Sequence, residues 1–168
     1  STPDISDRLA REGITLAEGQ RAEVALGPTG WIAEVAAALE RGYVLVIDYG
    51  YPAAELYGPE RRDGTLKAYT RHTVHDDPYR AVGEQDLTAH VDFTALMDAA
   101  RDHGLTVLDL TTQADFLADA GIGEILVAMQ RRPGITAEDY LAARAAVMHL
   151  IDPGGMGRFR VLTLGREE

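Results

Sequence analysis

Every second residue of Asp86-Leu87-Thr88-Ala89-His90-Val91-Asp92 is polar. On an extended chain alternate side chains share one side, so Asp86, Thr88, His90 and Asp92 can converge on one surface. A row of carboxylates with an imidazole can hold a cationic substrate or take a proton from it. The same residues also read as local caps, Asp86 and Thr88 bonding backbone N–H groups and Asp92 opening a helix. A second candidate is Asp48-Tyr49, which follows the apolar run Val44-Leu45-Val46-Ile47. In open α/β sheets ligands bind at the carboxyl ends of strands, which points to Asp48 and Tyr49 as substrate contacts. A turn cap and a packed ring are the plainer alternative for that pair.

Two further constellations carry less chemistry. His72-x-x-His75-Asp76-Asp77, joined by His90 and Asp92, offers imidazole and carboxylate ligands. Its spacing matches no helical or loop metal motif, so no metal is expected there. Gly154-Gly155-Met156-Gly157 is a glycine-loaded turn followed by a strand pattern, which suits a structural turn and not a phosphate cradle. There is no G-x-S-x-G and no Ser-His-Asp set in a persuasive order.

The elements that must position these groups follow from periodicity. Trp31, Ile32, Val35, Ala36 and Leu39 recur at helical spacing, with Thr29 or Gly30 as cap and Gly42 as the glycine that closes the helix. Val44–Ile47 suits a strand buried on both faces. Ahead of them, Ile5, Leu9 and Ile14 support a short helix ending near Gly13, and Arg21–Leu26 alternates like a short strand. Residues 52–85 read as a long irregular stretch whose tyrosines favour a packed lid. Asp92 caps a helix carrying Phe93, Leu96, Met97 and Ala100, which Gly104 ends, and Leu105–Leu110 is the next strand. Two short helices follow, Gln113–Ala120 and Gly123–Arg132. Thr136 and Asp139 form a shortened capping box for the helix of Tyr140, Val147 and Ile151, and Phe159–Leu164 is the last strand.

The totals bound the function class. At 168 residues the chain can bury a proper core, and a formal net charge of −11 argues against a nucleic-acid partner. Without cysteine there is no disulfide, thiolate nucleophile or Cys zinc site. No apolar run reaches the ~20 residues that span a bilayer, and no leader pattern opens the chain, so no membrane partner and a cytoplasmic location are expected.

Five blocks then carry a resemblance. They are Gly42-x-x-Leu45-x-Ile47-Asp48-Tyr49-Gly50-Tyr51, Gly64-Thr65-Leu66-x-x-Tyr69-x-x-His72 and Gly83-x-x-Asp86 running on to Phe93. Gln113-x-x-Phe116-Leu117 leading to Gly121-Ile122, and Met156-Gly157-x-x-Phe159-x-Val161-Leu162, complete the set. Their order resembles the MidA-like family of S-adenosylmethionine-dependent methyltransferases, and Glu23-Val24 extends the match. The resemblance implies an α/β fold: the carboxyl-terminal part of a Rossmann-like class I methyltransferase sheet, with 52–85 as inserted lid. In that fold class the final strand is antiparallel and lies between its two predecessors.

The family includes a mitochondrial enzyme that dimethylates an arginine of a complex I subunit, so the implied partner is a protein substrate, a respiratory complex I subunit included. For a eukaryotic homologue the implied location is the mitochondrial matrix. Family members are about twice as long, and the Gly-x-Gly-x-Gly loop that cradles the cofactor in their amino-terminal half has no counterpart here. The chain therefore reads as a fragment, the acceptor-side half of the enzyme, inactive alone. By resemblance Asp48, Asp86 and Asp92 orient the guanidinium, with His90 and Tyr49 as second choices. The alternative is a non-catalytic binding or assembly module. Either way, an uncovered Val44–Ile47 edge predicts a homo-oligomer for the isolated chain.

Overall fold

The computed structural model describes residues 2–70 and 73–166, so His72 and the metal reading built on it lie outside the described residues. The chain divides into two compact units. Of the described residues, one takes 2–41, 50–70 and 73–106, the other 42–49 and 107–166.

The first unit holds α1 (Pro3–Arg11), α2 (Pro28–Ala38), β2 (Gly50–Tyr51), α3 (Ala53–Leu56), β3 (Lys67–Thr70), β4 (Thr73–His75), β5 (Asp86–Thr88), β6 (Val91–Asp92) and α4 (Phe93–Asp102). Its centre is α4, whose Phe93, Ala95, Leu96, Ala99 and Ala100 are buried, packed against α2 with its buried Ile32 and Ala36. Around α3 a second cluster forms: Ala53, Leu56 and Tyr57 meet Leu9, Ile14, Leu16, Ala22 and Val24. The α3 N-terminus has no side-chain cap of its own; the Thr94 hydroxyl of α4 accepts from the Ala53 N–H at 2.9 Å. This contact starts α3 from the side of the helix it packs on.

The second unit is a three-stranded sheet of order β1-β8-β7, from β1 (Gly42–Asp48), β7 (Thr106–Thr112) and β8 (Arg160–Arg166). β8 pairs antiparallel with β1 from Gly42↔Arg166 to Asp48↔Arg160 and lies between β1 and β7. That is where the resemblance puts the last strand. α5 (Gln113–Asp119), α6 (Ile122–Gln130) and α7 (Ala137–Leu150) complete the unit. The capping box of α7 is present in full, Thr136 and Asp139 each bonding the other's backbone N–H.

Several expectations are corrected. β1 is not buried on both faces: Tyr43, Leu45 and Ile47 are 75%, 50% and 48% exposed, while Val44 and Val46 are half-buried opposite Leu164 and Leu162. Alternate side chains of a strand point to opposite faces, and the face that carries Tyr43, Leu45 and Ile47 is the more exposed one among the described residues. Gly42 does not close α2. That helix stops at Ala38, Leu39 is extended, and Gly42 opens β1 at φ 128°. Thr29 and Gly30 are not its caps either, because Pro28 is already the first helical residue. Arg21–Leu26 is no strand. Its alternation packs Ala22 and Val24 on α3, and among the described residues its one β-bridge is Arg21↔Asp63. Nor are residues 52–85 irregular, since they hold α3, a 3₁₀ turn at Pro59–Arg61 and a sheet of order β4-β3-β5 that β5 completes.

Candidate functional site

The polar groups of the first unit are organised by the shortest strands in it. β2 and β6 pair in parallel, Gly50 opposite Val91 and Tyr51 opposite Asp92. A Cβ on Gly50 would fall on the Val91 carbonyl oxygen and within 2.8 Å of its nitrogen, so only glycine lets the strands approach. This fixes Asp92 at the start of α4.

Asp92 is 3% exposed and both of its oxygens are engaged. Oδ1 accepts from the Ala95 N–H at 3.1 Å as the helix cap, and Oδ2 accepts from the Tyr57 hydroxyl at 3.0 Å. Of the two readings of Asp92, the structure realises the cap. Burial, with the Asp92 charge next, pushes the Tyr57 phenol well above its ordinary value. Beside this pair lies Glu12, whose side chain is fully buried, with the nearest Arg8 nitrogen 3.7 Å away. Neither Glu12 oxygen accepts a hydrogen bond from the described residues. Burial first, then the Asp92 carboxylate, pushes the Glu12 carboxyl up to about 7. Two buried carboxyls against a single distant cation are accommodated by a proton on one of them, for which the other is the acceptor.

A second branch leaves Tyr57, whose hydroxyl also lies 3.3 Å from the Glu23 carbonyl oxygen. The Glu23 carboxylate is clamped by Thr65, whose N–H and hydroxyl donate to Oε2 at 2.7 and 2.9 Å. Gly64, at φ +76°, makes room: a Cβ there would fall on Glu23 Oε1. Thr65 Oγ1 in turn accepts from the His90 N–H at 3.0 Å. The His90 ring tilts on Tyr51 with centroids 5.4 Å apart, and the Arg61 guanidinium lies 3.8 Å over the Tyr51 ring. His90 is thus held at its backbone by Thr65 and at its ring by Tyr51.

The four residues of the alternating row do not form one face. Asp86 is exposed and Thr88 and His90 half-buried, whereas Asp92 is turned into the core. The strand breaks between β5 and β6, so the period-2 argument fails at Ala89-His90. In the second unit Asp48 Oδ1 accepts from the Tyr49 N–H at 2.8 Å, and the Tyr49 ring meets Phe159 edge-on at 5.8 Å. Sequence reasoning passed over Glu12, Tyr57, Glu23 and Thr65 as site residues. Gly64-Thr65 and Glu23-Val24 stood in or beside the resembling blocks, and that was the available signal; nothing marked Glu12.

A cavity of about 520 Å³ opens beside the Glu23 clamp, lined by Arg21, Glu23, Asp63, Lys67, Asp76 and Tyr79 among others. Lys67 Nζ sits 2.6 Å from Asp76 Oδ1, which holds the Asp76 carboxyl below the usual range. Among the described residues no three His, Asp or Glu side chains converge as metal ligands, and no helix is long and apolar enough to cross a membrane.

The glycine turn tests whether the chain could cradle a sulfonium cofactor. At Gly157 the Cβ position is filled by Ile151 and Asp152 backbone atoms, the nearest 2.5 Å away. The turn then runs through a 3₁₀ segment into β8, not into a helix N-terminus. Its glycines serve packing at the end of α7, so this turn does not fit a cofactor's anionic groups.

Comparison with known proteins gives one reading. Residues 1–111 match the model of a family described as "Putative S-adenosyl-L-methionine-dependent methyltransferase". The mitochondrial protein arginine methyltransferase NDUFAF7 of Danio rerio is 31% identical over 137 residues, 77% of this chain and 29% of the relative. A crystal structure of an uncharacterised protein from Burkholderia thailandensis matches at TM-score 0.84 and 37% identity, over 96% of this chain and 43% of that one. A second structure from that organism, bound to S-adenosyl-homocysteine, matches at TM-score 0.82 and 38% identity, over 95% and 40%. The chain spans less than half the length of each.

Proposed function

Because the chain belongs to this family of S-adenosyl-L-methionine-dependent methyltransferases, we propose that it is the carboxyl-terminal, acceptor-side part of a protein arginine methyltransferase. The observation that carries this reading is the likeness, at 38% identity over 95% of the chain, to a structure holding S-adenosyl-homocysteine. The identity to an arginine methyltransferase supports the choice of acceptor.

Methyl transfer to a guanidinium nitrogen is an in-line displacement, so alignment and exclusion of water carry much of the rate. In the first unit the contact groups of this reading are Asp86, Thr88 and His90, the imidazole taking the proton that the methylated nitrogen releases. For the second unit, taken by itself, the resemblance singles out Asp48 and Tyr49 at the carboxyl end of β1. Asp92 is a positioning residue: its two engaged oxygens fix the start of α4, and with it His90 two residues earlier. Residues 52–85 serve as the lid. The protein substrate, a respiratory complex I subunit by family likeness, is met in the cytoplasm or the mitochondrial matrix.

The family's Gly-x-Gly-x-Gly cofactor loop has no counterpart in these 168 residues, so in this reading the chain alone is inactive. Alone it also self-associates, through the edge of β1 that no described strand pairs and the exposed Tyr43, Leu45, Ile47 and Leu108. Sedimentation showing a monomer at micromolar concentration would contradict that part. Calorimetric titration with S-adenosylmethionine tests the rest. Polypeptide made with its upstream coding sequence should bind and the chain alone should not. Tight binding by the chain alone would overturn the assignment, and no binding by either would favour a non-catalytic assembly module.

A further inference from the structure

We propose that the cavity beside Glu23 receives the cationic side chain of an arginine-bearing peptide, with the clamped Glu23 carboxylate as its anchor. This goes beyond the acceptor-side reading above, since none of Asp86, Thr88 and His90 lines the cavity, and rests on it only for the choice of an arginine-bearing partner. Three observations point the same way.

The first is the state of Glu23 itself. Thr65 occupies Oε2 twice, by N–H and by hydroxyl, while Oε1 accepts no hydrogen bond among the described residues. A carboxylate held rigid through one oxygen, with the other left over, is pre-organised to take an N–H donor at little further entropic cost.

The second is charge. Of the cavity's ionic groups, Lys67 and Asp76 neutralise each other at 2.6 Å. What remains is Arg21 against Glu23 and Asp63, one net negative charge in a concave site. A guanidinium restores balance there, whereas an anion would meet two carboxylates.

The third is shape. About 520 Å³ falls within the range of small-ligand and peptide side-chain sites, and Tyr79, 84% exposed, stands in its lining as a ring on which a planar guanidinium can stack. Gly64 keeps the Glu23 side of the cavity open, because any Cβ would displace Oε1.

The test titrates the 168-residue chain with acetyl-Gly-Arg-Gly-amide and with its citrulline counterpart, followed by amide shifts in NMR. Arginine and citrulline have nearly the same shape, but citrulline is neutral. The arginine peptide should shift the Gly64 and Thr65 amides and bind about tenfold or more tightly than citrulline. Glu23→Gln should abolish the difference while leaving the rest of the spectrum folded. Should that variant unfold, Tyr79→Ala, on the exposed ring, should weaken the arginine peptide several-fold and leave citrulline unchanged. Equal affinity for the two peptides, or shifts confined to residues outside the cavity, would overturn the proposal. The readout needs neither cofactor nor turnover. If methyl transfer failed and arginine still bound here, the enzyme reading would fall and the binding site would stand.

Discussion

The β1-β8-β7 sheet and the β2–β6 pair are held together by opposite means. The first is long and apolar: β1 and β8 pair over seven residues, and Val161, Leu162 and Leu164 are fully buried. The second has two residues in each strand. Its position rests on one glycine and a chain of polar contacts from Asp92 through Tyr57 to Glu23, Thr65 and His90. A sheet with many equivalent contacts tolerates the loss of one hydrogen bond but not of core volume. A pair with two rungs has no spare contacts, so there a single backbone clash or an ionisation is felt.

The largest effect should come from the sheet's core. Leu162→Ala removes a fully buried side chain and should cost about 2–5 kcal/mol in chemical denaturation. A loss below 1 kcal/mol would mean that the sheet is not the rigid half of this comparison. Next comes Gly50→Ala, which drives a methyl into the Val91 backbone and should cost about 1–3 kcal/mol. Hydrogen exchange should place that loss at His90, Val91 and Ala95 while the β1–β8 amides stay protected. Protection lost equally in both regions would remove the distinction.

The third effect is electrostatic. Glu12 titrates at about 7 in the folded chain against 4.5 when unfolded, because burial and Asp92 disfavour its charge. A raised folded value means that the folded state holds the extra proton. This contribution is therefore complete below pH 4.5 and is lost as pH rises to about 7. After allowance for solvent screening the change is on the order of 1–2 kcal/mol. Glu12→Gln should flatten the slope and make the variant the more stable protein above pH 7. Asp102 and Asp139, held low by Arg11 and by Thr136, titrate below this window. A wild-type curve that rises across it would contradict the buried pair. The smallest effect is Thr136→Ala, which removes the α7 cap and should cost about 1 kcal/mol. It should leave exchange in the β2–β6 region untouched.

The same contrast explains what the sequence makes legible. The strands at Val44–Ile47, Leu105–Leu110 and Phe159–Leu164 and the helix after Asp92 are local patterns, and they stand where periodicity puts them to within a residue or two. The exposed face of Val44–Ile47 is not legible because composition reports that a strand is apolar, not which of its faces other elements cover. The row Asp86–Asp92 was misread as a single face because a break between β5 and β6 leaves no trace in a period-2 pattern. The site network is less legible still. Tyr57 meets Asp92 across 35 positions and Glu23 meets Thr65 across 42, separations over which spacing carries no information. Gly50 and Gly64 were visible as glycines, but the backbone and the carboxylate they admit come from elsewhere in the chain.

The central claim is that this chain forms the acceptor side of an arginine methyltransferase. It is tested most directly by methyl transfer from S-[methyl-³H]adenosylmethionine to a protein substrate pool, followed by acid hydrolysis and amino-acid analysis. The polypeptide made with its upstream coding sequence should place label in methylarginine. Asp86→Ala and His90→Ala in the first unit, and Asp48→Ala in the second, should each lower the rate about 10²-fold or more without an equal loss of stability. Label in another amino acid, or rates that follow melting temperature alone across these variants, would contradict the account.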